Sequence, residues 1–161
     1  MLSHKLVFEE VEEDYQLLAI HSLLEEFKLA YLLNKYLHIS FKRARIDLDF
    51  NHGDIQAHYP LYQFKDPGNY RKYYLIKNKY QGPVKKVISS GSLFGEEELS
   101  PQLTCFIPEY KEVDFFLKIE EDMKAEQVQE IFSIIASIPG VLTTYMVDPN
   151  QLKSKNNLIL D

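Results

Sequence analysis

The 161-residue chain has a single cysteine, no tryptophan and no long apolar run. With Cys105 alone, no internal disulfide can form, so a secreted domain stapled by bridges is excluded and a reducing compartment is expected. The most apolar stretch, Phe27 to Leu37, is interrupted by Lys28, Asn34 and Lys35. No window approaches the roughly 18 uninterrupted apolar residues that suggest a membrane span. Leu6-Val7-Phe8 is too short for the apolar region of a signal peptide. A cytoplasmic location with no membrane partner is therefore expected. Nucleotide-binding signatures are missing too, since Gly91-Ser92-Leu93-Phe94-Gly95 has no lysine after it and does not form a G-x-S-x-G elbow.

What is present is a globular composition, 45% hydrophobic and 26% charged, in a length that suits one domain spanning residues 1–161. Eleven tyrosines and ten phenylalanines make it aromatic-rich, which favours strands. The net charge of −6 is unevenly spread. Residues 1–40 hold three basic side chains against seven acidic ones, 41–90 hold ten against four, and 91–161 hold five against thirteen. Such sorting marks either a partner surface or basic and acidic elements that neutralise each other within one fold.

The pattern predicts strands over Lys5 to Glu10 and Tyr15 to Ile20, separated by an acidic turn at Glu12-Glu13-Asp14. A helix follows to about His38, with Ser22 and Glu25 forming an S-x-x-E capping box. Phe41 to Phe50 alternates as one strand, with Ala44, Ile46, Leu48 and Phe50 on one face and Arg43, Arg45, Asp47 and Asp49 on the other. Ala57 to Phe64 and Tyr70 to Lys79 read as two further strands, with Pro60 at an edge or bulge. Ser89 to Pro101 reads as the longest irregular loop. Val113 to Glu120 is a strand with Val113, Phe115, Leu117 and Ile119 inward. Asp122 is the expected cap of a second helix, in which Val128, Ile131, Phe132 and Ile135 recur at helical spacing, and Pro139-Gly140 stops it. Val141 to Val147 returns as a strand, Asp148-Pro149 opens a helical turn, and Leu158 to Leu160 adds a last strand. The fold class expected is α+β, a mainly antiparallel sheet with both helices on one face, in an elaborated ferredoxin-like arrangement.

Ile107-Pro108-Glu109, three residues, and then Val113-Asp114-Phe115 resembles the signature of a bacterial protein family named for that motif, IPExxxVDY. Leu29 to Asn34 and Leu152 to Leu158 extend the resemblance over most of the chain, and Phe115 stands where the family name has tyrosine. The resemblance implies family membership but brings no activity with it. Physically, Pro108 fixes φ and extends Ile107 into a strand. Glu109 and Asp114 are expected as structural anchors, bonded to backbone N–H groups or paired with Arg43 or Arg45, rather than as a ligand site.

His52, Asp54 and His58 fit no established zinc spacing, so no metal is expected. Cys105, between Thr104 and Phe106, reads as a buried, inert thiol. Asp47 and Asp49 resemble paired catalytic carboxylates, but Arg43 and Arg45 on the same face make a charge ladder the simpler account. The chain is expected to be no enzyme and to need no cofactor.

Two surfaces stand out as binding candidates. Arg43, Arg45, Arg71, Tyr73, Lys77 and Lys79 would form a basic, tyrosine-bearing sheet face suited to a protein partner or to single-stranded RNA. In the first helix, Leu23, Leu24, Phe27, Ala30, Tyr31 and Leu37 form one apolar face around Asn34, leaving Leu29, Leu32, Leu33 and Tyr36 as a second apolar side, which either further chain covers or an oligomer or partner interface takes up. The leading expectation is a non-enzymatic binding or adaptor domain, acting through protein contacts as a homodimer. RNA binding is the first alternative. A small-molecule sensor with a pocket near Ile138-Pro139-Gly140 or at a dimer interface is the second.

Overall fold

The computed structural model describes residues 15–83, 85–88, 97–121 and 123–160, with backbone only for 85–88 and 97–100. The expected strand at Lys5 to Glu10, the turn at Glu12 to Asp14, the Gly91 to Gly95 loop and the Asp122 cap lie outside these residues.

The run Leu17-Leu18-Ala19-Ile20 is apolar at every position because both faces of its strand are buried. This strand, β1 (Tyr15–Ser22), leads into helix α1 (Glu26–Leu37). Next come β2 (Lys42–Arg43), β3 (Leu48–His52), β4 (Ile55–Tyr59), β5 (Leu61–Lys65) and β6 (Lys72–Lys77). An excursion follows through β7 (Lys79–Gln81), β8 (Lys85–Ile88), β9 (Glu97–Ser100) and β10 (Leu103–Cys105). The chain then returns as β11 (Phe115–Glu120), helix α2 (Ala125–Ser137) and β12 (Val141–Val147). Two 3-10 turns close the described chain, at Pro149–Gln151 and Lys155–Leu158.

Six strands form one sheet in the order β12-β1-β11-β6-β5-β2, antiparallel at every pairing. Its first four strands, with α1 after β1 and α2 between β11 and β12, have the order of a ferredoxin-like split βαβ sheet, here elaborated by β5 and β2. Both helices cover one face: Leu29, Ala30 and Leu33 from α1 and Ile135 from α2 pack on Leu18, Ile20, Leu75 and Leu117. The opposite face carries a second core, in which Leu17, Tyr74, Ile76 and Phe116 meet Tyr59, Phe106, Ile107, Leu152 and Leu158. The sheet is thus the middle of three layers, and the third is built from the β3–β4 hairpin, the Ile107 to Val113 segment and the C-terminal turns.

Several sequence expectations change for identifiable reasons. Phe41 to Phe50 is not one strand. A short bridge from Arg43 to Asp47 (2.7 Å) closes a bend that leaves Ile46 exposed. Pro60 sits between β4 and β5, where the chain passes from the hairpin into the main sheet, and its carbonyl accepts from Lys77 N–H. Asn78 likewise separates β6 from β7. Part of the expected loop before Pro101 is strand β9, paired with β8. No strand forms at Leu158 to Leu160, because Lys155–Leu158 coils into a 3-10 turn.

The capping box of α1 does not form. The helix begins after Glu25, and the Ser22 hydroxyl instead donates to Gly140 C=O (2.7 Å) and accepts from Leu24 N–H. The helix is also turned relative to expectation. Leu29 and Leu33 are fully buried, while Leu23, Phe27 and Tyr31 are 86%, 58% and 65% exposed. Asn34 fixes this rotation by accepting from Phe41 N–H (2.6 Å) and donating to Phe41 C=O (3.2 Å). Burying Leu29 and Leu33 contributes roughly 1.5–3 kcal/mol each, so neither is available as an oligomer interface. Leu32 and Tyr36 are half-buried against the same core. α2 follows its sequence pattern, and Asp148 accepts from Asn150 N–H at the next turn as an Asp-Pro cap should.

Candidate binding surface

The conspicuous Ile107 to Phe115 segment is held by a residue that drew no attention in the sequence. Asn78 is completely buried. Its Oδ1 accepts from Ile107 N–H (2.8 Å), and its Nδ2 donates to Tyr110 C=O and Val113 C=O (2.9 Å each). Its backbone bonds to Asp114 C=O and Phe106 N–H. Every hydrogen-bonding group of this asparagine is therefore used. Pro108–Tyr110 forms one 3-10 turn around it, with Pro108 at the first position.

Glu109 and Asp114 engage a backbone N–H, a lysine and a serine hydroxyl rather than Arg43 or Arg45. Asp114 Oδ2 accepts from Ser22 N–H (2.9 Å), and Oδ1 pairs with Lys79 Nζ (2.9 Å). Glu109 accepts from the Ser154 hydroxyl (2.7 Å). Asn157 Nδ2 donates to Phe106 C=O, and the buried Lys118 ammonium bonds to Leu158 C=O and Glu120 (2.8 Å each) beneath the Tyr15 ring. Two of the segments that resemble the IPExxxVDY family, 107–115 and 152–158, are thereby locked onto one another.

The basic residues do not assemble into one face. Arg43 pairs with Asp47, Lys77 with Glu26 (3.0 Å) and Lys79 with Asp114. Tyr73 is buried beneath the helices. Arg71 donates to Gln127 Oε1 of α2 (3.1 Å), and Arg45 is exposed on the bend before β3. Within the positive middle of the sequence, Lys72, Lys77 and Lys79 pair with Glu120, Glu26 and Asp114 from outside it, and Arg43 pairs with Asp47 inside it. Both broad faces of the six-stranded sheet are covered, so among the described residues its tyrosines Tyr62, Tyr73 and Tyr74 are buried rather than laid out as a stacking platform.

The remaining singled-out groups have structural partners. His58 Nδ1 lies 2.6 Å from Asp49, and the Tyr59 hydroxyl bridges His52 Nε2 (2.9 Å) and Thr104 (3.0 Å). Among the described residues no group of three His, Cys, Asp or Glu could hold a metal, and no helix is long and apolar enough to cross a membrane. Burial raises the Cys105 thiol above its usual pKa, against the lowering pull of Lys79 and Lys111. That is the opposite of what a nucleophile needs.

The two edges of the sheet differ sharply. β2 has only two residues, Lys42 and Arg43, a short charged strand of the kind that blunts pairing. β12 has seven, Val141-Leu142-Thr143-Thr144-Tyr145-Met146-Val147, with no charge and no proline. One side of β12 pairs with β1, and among the described residues no strand pairs with the other. Leu142, Tyr145 and Met146 are exposed along it. Met146 lies opposite Leu18 on the helix side, while Tyr145 lies opposite Ala19 on the other side, where its hydroxyl meets His21 Nε2 (3.2 Å). The sequence shows this strand plainly, but its place at an edge depends on strand order.

No protein-family model, curated protein or solved structure matches the chain.

Proposed function

We propose that this chain is a non-enzymatic binding domain of the IPExxxVDY type that acts through protein contacts, with a homodimer paired along β12 as its working unit. The observation that carries the reading is the seven-residue β12 edge, uncharged, free of proline and without a partner strand among the described residues, opposite an edge blunted by Lys42 and Arg43. Unpaired strand backbone is a template for another strand. A two-fold axis through Thr144 makes β12 complementary to itself. Thr144 faces Thr144 of the second copy, Leu142 faces Met146, and Thr143 faces Tyr145. No like charges oppose one another, and branched or aromatic side chains fill the cross-strand positions. The family reading rests on the Ile107 to Phe115 motif and on the two further segments that resemble that family.

The register is tested by charge. Wild-type protein is expected to run as a dimer in light scattering at about 100 µM, a concentration that detects micromolar self-association. The double variant Leu142→Lys with Met146→Lys puts like charges opposite each other and is expected to be monomeric. Leu142→Lys with Met146→Glu restores complementarity and the dimer. A monomeric wild type, or a dimer indifferent to these changes, would overturn the proposal.

A further inference from the structure

We infer that the cleft between the C-terminal end of α1 and the flank of α2 binds a small apolar molecule bearing one carboxylate, with Arg71 as the partner of that carboxylate. The inference does not rest on the β12 dimer. The cleft lies away from the Ile138-Pro139-Gly140 junction, beside the end of α1 where Leu37, His38 and Ile39 leave the helix. Its volume is about 260 Å³, and Leu37, Ile39, Met123, Ile131 and Ile134 form an apolar part of a wall whose remainder is polar. At roughly 30 Å³ per water-sized group, this holds about nine such groups, the size of a medium-chain acid.

The charge at the mouth gives the ligand its chemistry. Arg43, Lys72, Lys77 and Lys79 each have a carboxylate partner, whereas Arg71 bonds to a neutral amide. Gln127 Oε1 receives both Arg71 and the Lys124 N–H, which ties the guanidinium to the first turn of α2 and holds it at the cleft. The nearby Asp66 carboxylate is engaged by Gly68 N–H and by the backbone and side chain of Asn69. A guanidinium has five N–H donors in a planar fork, and a carboxylate takes two of them side by side. Glu130 also lines the mouth, and its negative charge disfavours ligands with more than one anionic charge. An apolar wall, one tethered arginine and one acidic residue, in a lining that also holds His38, favour a monocarboxylate with an aliphatic or aromatic body.

The full chain, labelled with nitrogen-15, is titrated with hexanoate, with hexanol and with phenylalanine, following the amide signals. Hexanoate is expected to shift signals of Ile39, Arg71 and Ile131 saturably, and hexanol to bind at least tenfold more weakly. Phenylalanine reports whether an ammonium group beside Glu130 adds affinity; tighter or weaker binding than hexanoate refines the body of the ligand, and both outcomes retain the carboxylate site. Arg71→Met is expected to weaken hexanoate at least tenfold while leaving hexanol unchanged. Ile134→Phe, which fills the cavity and spares Arg71, is expected to abolish both. Absence of saturable shifts up to about 10 mM hexanoate, equal binding of hexanol, or indifference to Arg71→Met or Ile134→Phe in folded protein would overturn the assignment.

Discussion

Replacing Asn78 with leucine tests whether the Ile107 to Phe115 segment is a structural lock. The two side chains are close in size, so the change removes hydrogen bonds with little change in volume. Ile107 N–H, fully buried, loses its Oδ1 acceptor at 2.8 Å, and Val113 C=O loses Nδ2 at 2.9 Å. Tyr110 C=O is less affected, because it still accepts from Val113 N–H at 3.1 Å. A buried group left without its partner costs about 1–3 kcal/mol. Two such groups, less about 1 kcal/mol for the more apolar side chain, give a loss near 3 kcal/mol. For a chain of this length, about 2–4 °C per kcal/mol places the melting shift near 10 °C. Urea unfolding followed by circular dichroism measures it directly. Asn78→Asp is the companion variant: it keeps the acceptor for Ile107 but sets a carboxylate against two carbonyl oxygens, and is expected to be at least as damaging at neutral pH. A loss below about 1 kcal/mol for Asn78→Leu, with an unchanged denaturant slope, would refute the reasoning.

Gly140 has φ +95°, and a Cβ built there falls 2.7 Å from Leu24 Cγ. Gly140→Ala is therefore expected to destabilise by about 1–3 kcal/mol in the same assay, and a neutral result would show that the α1 entrance is free to shift. Burial works to raise the Glu26 carboxyl, but the Lys77 bond, its own backbone and the charges of Lys77 and Arg43 hold it below its usual value. Its contribution is present above the unfolded pKa near 4.5 and is lost as pH falls through the lower folded value. Glu26→Gln should thus lower stability at pH 7 and flatten the acid limb, as read from urea midpoints at neutral and acidic pH; an unchanged acid limb would contradict this.

Much of the molecule was legible from local pattern. α2 shows a one-sided 3.6-residue period and ends just before Pro139-Gly140, so its end and buried side agree with the structure, whereas it starts after Lys124 rather than from the expected Asp122 cap. β12 lies between two turn signals, and its bounds match. Asp114 accepts from Ser22 N–H and Glu109 from the Ser154 hydroxyl, partners 92 and 45 residues away along the chain that no local pattern names.

By itself, the sequence determined the α+β class, the antiparallel order of elements and the sorting of charge, since each follows from spacing and composition along the chain. Tertiary structure alone decided three other matters. α1 is apolar nearly all round, so its period could not choose a buried side; Asn34, bonded to Phe41, did so and placed Leu29 and Leu33 inside. Asn78 sits between Lys77 and Lys79, a local string that looks solvent-exposed, and became the centre of a lock only when the 107–113 segment folded over it. The basic residues look like one surface in the sequence, yet Lys77 and Lys79 pair with carboxylates from distant segments, Arg43 with Asp47 four residues on, and Arg71 with the Gln127 amide. A side chain's spacing along the chain limits which face it can share, but its hydrogen-bond partner is set by what the fold brings within about 3 Å.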